Sequence, residues 1–149
     1  MPRRRRSTAP PKEGQVSPLA FATSLILQNP ELGRLVEDPE AVETMTIQGA
    51  EVLHRLVILT VENETATTAH LLESFRESRF HGYLQTLASR ENYVDDDSRA
   101  SLFLDTLSRL LEENNEKRRL ELLEKARISG LGEEEKQELR ERLDSRTGN

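Results

Sequence analysis

The side chains that most often carry chemistry in proteins do not form a known catalytic or metal-binding pattern in this sequence. The histidines at 54, 70 and 81 lie outside any HExxH motif, and no serine lies in GxSxG. The GLG stretch at 130–132 is too short for a phosphate-binding loop and follows a predicted helix instead of a strand. The absence of cysteine excludes thiol nucleophiles, disulfides and cysteine-ligated zinc. We therefore expect no catalysis, no small-molecule substrate and no cofactor.

Three consecutive carboxylates, Asp95 to Asp97, are the best candidates for a metal site. They also stand just before a long predicted helix, where the positive end of the helix dipole favours negative charge. No second cluster of oxygen ligands lies nearby in the sequence. The interpretation as a helix N-terminus is therefore favoured, and no metal is expected.

Charge is distributed unevenly along the 149 residues, whose net charge is −6. Residues 1–17 carry five cations and one acid, for a net +4, and the remainder carries 16 cations and 26 acids, for a net −10. An acidic body repels phosphate backbones, so direct nucleic-acid binding is not expected of it. The longest apolar run, LVILTV at 56–61, is far short of the ~20 residues that span a membrane. No secretory signal is visible, and we expect a cytoplasmic protein.

Residues 1–17 are rich in proline and arginine and have little to bury, so they are interpreted as a flexible basic linker. The four arginines at 3–6 leave an alternative open, in which the chain is a nucleic-acid-binding or regulatory helical adaptor. No aromatic residue lies among them to stack on bases.

From residue 18 onward the sequence predicts an all-α fold. Ser17 is a plausible N-cap with Pro18 at the first helical position, and Pro30 and Pro39 repeat this arrangement. Leu32, Leu35 and Val36 are expected to face inward after Pro30. A helical bundle is predicted over 18–111.

Residues 47–62 are ambiguous because Val57, Ile58 and Val61 are β-branched and favour strands. The apolar and small residues fall instead at helical spacing, at 53, 56, 57, 60 and 61, and strict alternation fails. A buried helix is predicted.

A long helix is predicted from about Ser98 to just before Gly130, and it contains eight consecutive polar residues at 112–119. Opposite charges at helical spacing support such a helix. The expected pairs are Glu113–Lys117, Lys117–Glu121, Glu121–Lys125 and Glu116–Arg119. A helix that is polar on all sides is typical of a rod crossing solvent between packed units. An ordinary solvated face on a helix that packs elsewhere is the alternative.

Residues 112–149 are predicted to form an extended helix and a C-terminal helical hairpin. Gly130 suits the left-handed residue after a helix, and Gly132 can be the next N-cap, followed by three glutamates. Two short helices bury too little to be stable alone, so this hairpin is interpreted as a docking element. The alternative is that it folds back on the bundle.

Two stretches, LILQNPEL at 25–32 and GLGEEEKQEL at 130–139, resemble the C-terminal helicase-binding domain of bacterial replicative DNA primase, the DnaG type. The resemblance covers about residues 18–146. It departs at Gly132, where a side-chain N-cap is common. Because the zinc-binding and polymerising domains of the family lie upstream, this chain is interpreted as an excised C-terminal domain.

The resemblance implies a non-catalytic interaction domain of a primer-synthesising enzyme. Its partner would be the N-terminal domain of the hexameric replicative helicase, the DnaB type, at the nucleoid-associated replication fork. The anchors would be Ile128, Leu131, Leu139 and Leu143, with Leu122 and Ala126 beside them. Rim ion pairs would come from Arg127, Arg140 and Arg142.

Overall fold

The computed structural model describes residues 17–147, with side chains as far as Asp144. The predicted linker at 1–17 lies outside this range except for Ser17. Seven α-helices and one 3-10 helix follow one another, and no strand occurs between residues 17 and 147. The elements are α1 (Pro18–Gln28), the 3-10 helix (Pro30–Leu35), α2 (Pro39–Glu43), α3 (Ala50–Glu62), α4 (Thr68–Ser74), α5 (His81–Ser89), α6 (Asp96–Ile128) and α7 (Glu133–Thr147). The predicted all-α fold is confirmed.

Helix α1 is the centre of the bundle and begins as predicted. The hydroxyl of Ser17 accepts a hydrogen bond from the Ala20 N–H at 3.1 Å, and Pro18 occupies the first helical position. All the residues from Leu19 to Leu27 except Phe21 are buried, so neighbours surround this helix. It packs against α3, α4, α5, α6 and the 3-10 helix.

The segment after Pro30 is a 3-10 helix, and one of its predicted core residues is exposed. Leu32 and Val36 are buried, whereas Leu35 is 42% exposed. The helix ends at Leu35, and the extended residue Val36 takes the core position. Gly33 allows this segment to approach α3 closely, since a Cβ at Gly33 would lie 2.0 Å from the Thr60 hydroxyl oxygen.

The ambiguous segment is helical, as predicted, although it starts at Ala50. The preceding Gly49 has a φ of 95°, in the left-handed region that favours glycine. Leu53, Leu56 and Val57 are fully buried, whereas Val61 is 47% exposed and lies at the edge of the predicted stripe.

Helix α6 has 33 residues and begins at Asp96, two residues before the predicted start. Asp95 is its N-cap residue and Asp96 and Asp97 lie in its first turn, in agreement with the interpretation as a helix N-terminus. Among residues 17–147 no group of three potential metal-ligating side chains is present. The first half of α6 places Phe103, Leu107 and Leu110 in the main core, with Leu111 packed against it.

The polar half of α6 touches the bundle at Asn114, which is only 6% exposed. Its amide oxygen accepts hydrogen bonds from the Thr46 N–H at 3.0 Å and the Thr46 hydroxyl at 3.3 Å. The predicted division of the chain at 111/112 stays a prediction, and this contact shows that the bundle meets α6 beyond Leu111. None of the helices within residues 17–147 is long and apolar enough to cross a membrane.

Candidate functional site

The turn between α6 and α7 is built by two glycines, as the sequence predicted. Gly130 has a φ of 86°, and its N–H donates to the Lys125 carbonyl at 3.0 Å, which closes the end of α6. Gly132 precedes α7, and its N–H donates to the Glu135 carboxylate at 3.1 Å. This contact is one half of a capping box, in which the third residue of a helix bonds back to the N-cap backbone. The two helices therefore reverse direction within four residues.

A ladder of charged side chains joins α7 to α6. Arg118 donates to both carboxylate oxygens of Glu138, from Nε at 2.9 Å and from Nη2 at 3.1 Å. Arg142 also donates to Glu138 at 2.9 Å and reaches the Asn115 side-chain oxygen at 2.9 Å. Nearer the turn, the Lys125 ammonium lies 2.5 Å from a Glu135 oxygen. Since these contacts run from Asn115 to Lys125, they fix α7 along most of the distal half of α6.

The charged contacts of this ladder shift the pKa values of the side chains that make them. The hydrogen bonds from Arg118 lower the pKa of Glu138, which burial partly opposes and Arg142 reinforces. The Lys125 ammonium and the Gly132 N–H likewise lower the pKa of Glu135. Glu138 in turn raises the pKa of Arg118. Both carboxylates are therefore ionised at neutral pH and hold the two helices together.

One apolar side chain, Leu122, lies inside this distal region. It is 1% exposed, yet it is not part of the main core cluster. It occupies the side of α6 that carries Arg118 and Lys125, one helical turn away in each direction. Leu122 is therefore buried in the hairpin, where α7 covers α6.

The polar segment at 112–119 is helical but is not surrounded by solvent, which corrects the picture of a bare rod. Asn114 contacts the bundle, and Asn115 and Arg118 contact α7. The physical reason is length. Helix α7 has 15 residues, about 22 Å at 1.5 Å per residue, enough to run back along α6 from the turn to Asn115. The hairpin thus includes most of the predicted spacer.

Of the four ion pairs predicted along α6, the side chains that the structure describes form one, and two of the other charges have different partners. Glu116 and Arg119 pair as expected. Glu121 accepts from Arg118 and Lys125 pairs with Glu135, so both are engaged elsewhere. The i,i+4 pairs predicted for Lys117 do not occur among the described side chains. Cross-helix partners compete for these charges, and a pattern confined to one helix does not reveal them.

All nine side chains predicted to bind a partner lie in the hairpin, but they differ in exposure. Ala126, Arg127 and Ile128 are exposed at the end of α6, and Leu131 is half-buried in the turn. On α7, Leu139 is half-buried and Leu143 is exposed, whereas Leu122 is covered. Arg127 pairs with Glu124 on its own helix and Arg140 donates to Gln137, so both stay at the surface. Arg142 instead belongs to the ladder inside the hairpin.

Two exposed leucines were not among the predicted binding residues. Leu120 is 52% exposed and Leu123 is 40% exposed. Leu120 lies about 200° around the helix from Leu122, hence on the side turned away from α7. A shallow groove of about 760 Å³ runs along this side between Glu113 and Lys125 and includes Leu120. The i,i+3 spacing of Leu120 and Leu123 was visible in the sequence, but only the position of α7 shows that these two leucines face outward.

Comparison with known proteins places the fold and the hairpin in a family. The family model described as "DNA primase DnaG DnaB-binding" matches residues 21–142. The chain belongs to this DnaG DnaB-binding family. The resemblance inferred from residues 25–32 and 130–139 is thereby confirmed.

Among curated relatives of this DnaG DnaB-binding chain, the DNA primase of Pasteurella multocida is 32% identical over 136 residues, which are 91% of this chain and 23% of that protein. The DNA primase of Escherichia coli K12 is 30% identical over 77% of this chain and 20% of its own length. The chain thus spans about a fifth of the length of the primases it matches.

A solved structure shares the architecture. The DnaG primase C-terminal domain from Vibrio cholerae is 33% identical to this chain, with a TM-score of 0.73. The match covers 85% of this chain and 96% of that domain. This DnaG DnaB-binding chain therefore matches nearly the whole of that helical domain.

Proposed function

We propose that this chain binds the N-terminal domain of the replicative helicase through its hairpin. By this contact it would couple primer synthesis to the replication fork. Membership of a family described as the DnaB-binding part of the DnaG primase supports the choice of partner. Direct contact with nucleic acid has no part in this proposal.

The observation that carries the proposal is the exposed apolar end of the hairpin. Ile128 is 68% exposed at the last position of α6, next to the exposed Ala126. Burial of a large aliphatic side chain against a partner contributes about 1.5–3 kcal/mol. The half-buried Leu131 and the exposed Leu143 extend the apolar surface along the turn and α7. A partner that covers this surface gains most of its binding energy here.

The surrounding arginines are suited to orient the partner. Arg127 and Arg140 are exposed and make contacts only within their own helices in the side chains described. Charges at the rim of an interface accelerate association and disfavour wrong partners more than they raise affinity. Leu122 and Arg142 act differently in this proposal, since they hold the hairpin in the shape that displays the other residues.

The first experiment is co-elution of this chain with a replicative helicase N-terminal domain on size exclusion. The full chain should form a complex, and a chain lacking residues 130–149 should not. Deletion of residues 1–17 should leave the complex intact, because the basic segment is not part of the contact. A complex that requires residues 1–17 and survives removal of 130–149 would overturn the proposal.

Point variants locate the contact more sharply. Ile128→Ser should weaken helicase binding at least tenfold in calorimetry without changing the thermal stability of the chain. Leu35→Ser is the matched control, since Leu35 is an exposed leucine on the bundle. Leu139→Asp should abolish binding while the bundle keeps its helicity. Equal affinities for Ile128→Ser and Leu35→Ser would place the contact elsewhere.

A further inference from the structure

Asn114 joins the polar half of α6 to the bundle by hydrogen bonds. Its amide oxygen accepts from the Thr46 N–H and hydroxyl, and its amide nitrogen faces the Thr44 carbonyl at 3.5 Å. Thr44 and Thr46 belong to the loop between α2 and α3, about 70 residues away in sequence. One buried amide therefore ties α6 to a distant loop.

A buried amide is a poor choice for stability but a good one for orientation. Replacing both members of a buried hydrogen-bonded pair by apolar groups of the same shape can be nearly neutral or even stabilising. Hydrogen bonds, in contrast, require one direction and one distance. A single buried asparagine fixes the register of packed helices in coiled coils for this reason. The apolar contacts of Phe103, Leu107 and Leu110 lack such directionality.

The position of Asn114 gives its orientation a large effect on the hairpin. It follows Leu111, the last residue of α6 packed against the main core, and precedes Asn115, where the contact with α7 begins. Ile128 lies 14 residues further on, about 21 Å along the helix axis. A tilt of about 15° at Asn114 would therefore move the end of α6 by roughly 5 Å.

We propose that Asn114 is a positioning residue. It sets the rotation and direction with which α6 leaves the bundle, so that the hairpin is presented to a partner in one orientation. The consequence for affinity rests on the proposed helicase contact, whereas the orientation itself is a property of this chain alone.

Distance measurements between paired spin labels test the orientation directly. The chain has no cysteine, so labels can be introduced at will, here through Glu51→Cys on α3 and Glu134→Cys on α7, both exposed. The unsubstituted Asn114 background should give one narrow distance distribution. Asn114→Leu should broaden or shift it by about 3 Å or more. A label pair within the bundle, Glu51→Cys with Gln85→Cys, should be unchanged in both backgrounds.

The conservative variant separates hydrogen bonding from size. Thr46→Val keeps the Thr46 N–H that donates to Asn114 and the shape of the side chain, and it should keep the narrow distribution. Asn114→Ala is a second loss variant if the leucine variant does not fold. If Asn114 only contributed stability, its loss variants would melt earlier while their distances stayed narrow. A narrow, unshifted distribution in Asn114→Leu or Asn114→Ala overturns the inference.

Affinity for the helicase N-terminal domain gives the second measurement. If the hairpin of Asn114→Leu adopts the orientation that binds the helicase only between about a third and a tenth of the time, its apparent affinity for the helicase falls by about 3–10-fold. Broadened distances with unchanged affinity would contradict the role in binding. Failure of the proposed function would look different, because the chain with Asn114 intact would then not bind the helicase at all.

Discussion

Glu138 on α7 holds Arg118 on α6 with both of its carboxylate oxygens, at 2.9 and 3.1 Å, across 20 residues of sequence. The same carboxylate accepts from Arg142, whose guanidinium also reaches Asn115. Two-pronged contacts of this kind fix both the distance and the relative rotation of two helices. Glu138 is therefore the side chain through which the two helices of the hairpin are aligned.

Glu138→Gln should loosen α7 without unfolding the bundle. The amide keeps the size of the side chain but removes its charge, and partly exposed pairs of this kind contribute about 0.5–1 kcal/mol. Amide hydrogens of α7 should then exchange about 2–5-fold faster, while those of α1 and α3 should be unaffected. Glu134→Gln is the matched control on the exposed side of α7. Equal exchange in the two variants would show that the ladder is not what holds α7.

The hairpin should also be sensitive to acid. Arg118 lowers the pKa of Glu138 below its ordinary 4.5, and the pKa of Glu135 is lowered too, chiefly by Lys125. A group whose pKa is lowered by folding stabilises the fold above its unfolded pKa, and this contribution is lost as the pH falls through the folded value. The methyl signals of Leu122 should be constant from pH 7 to 5 and change below 4.5. A transition near pH 6 would contradict this origin.

Gly33→Ala should destabilise the bundle. The added Cβ would lie 2.0 Å from the Thr60 hydroxyl oxygen and 2.9 Å from a methyl carbon of Ile26, so the 3-10 helix has to move away from the core. Overpacking of this kind costs about 1–3 kcal/mol, measurable by urea denaturation. Gly82→Ala is the matched control, because nothing lies within 4 Å of its added Cβ. In α5 that change should stabilise by about 0.5–1 kcal/mol.

Gly132→Ser should strengthen the start of α7. The Gly132 N–H already donates to the Glu135 carboxylate, which is one half of a capping box. The other half is missing, because glycine has no side-chain oxygen that could accept a hydrogen bond. A serine would complete the box at a gain of a few tenths of a kcal/mol. Slower amide exchange in the first turn of α7 would show the effect. Gly130→Ala should destabilise the turn, since a φ of 86° strains any residue other than glycine. Amide hydrogens in the first turn of α7 should then exchange faster than in the unsubstituted chain.

The features predictable from the sequence are those that depend on neighbouring residues. The N-cap at Ser17, the acids at the start of α6 and the left-handed Gly130 each follow from local backbone chemistry. The helical character of residues 50–62 followed from the spacing of their apolar residues. The family resemblance followed from two short motifs and their order.

The features that the sequence did not reveal depend on residues far apart. Asn114 is one of eight consecutive polar residues, and nothing local distinguishes it from its less buried neighbours until Thr46 is placed beside it. Leu122 and Leu120 have the same side chain, and the position of α7 alone decides which of them is covered. Arg142 is predicted to contact a partner, which stays a prediction, and its contacts with Glu138 and Asn115 could not be anticipated from the sequence.

The charged ladder between α6 and α7 bears on how this domain can change over generations. The hairpin is aligned by Arg118, Glu138 and Arg142, so its shape depends little on the outward positions 120, 123 and 128. Under the proposed helicase contact, substitutions at those outward positions would change the surface offered to the partner without any rebuilding of the interior. The surface that meets a partner could therefore change by single substitutions while the scaffold beneath it is kept.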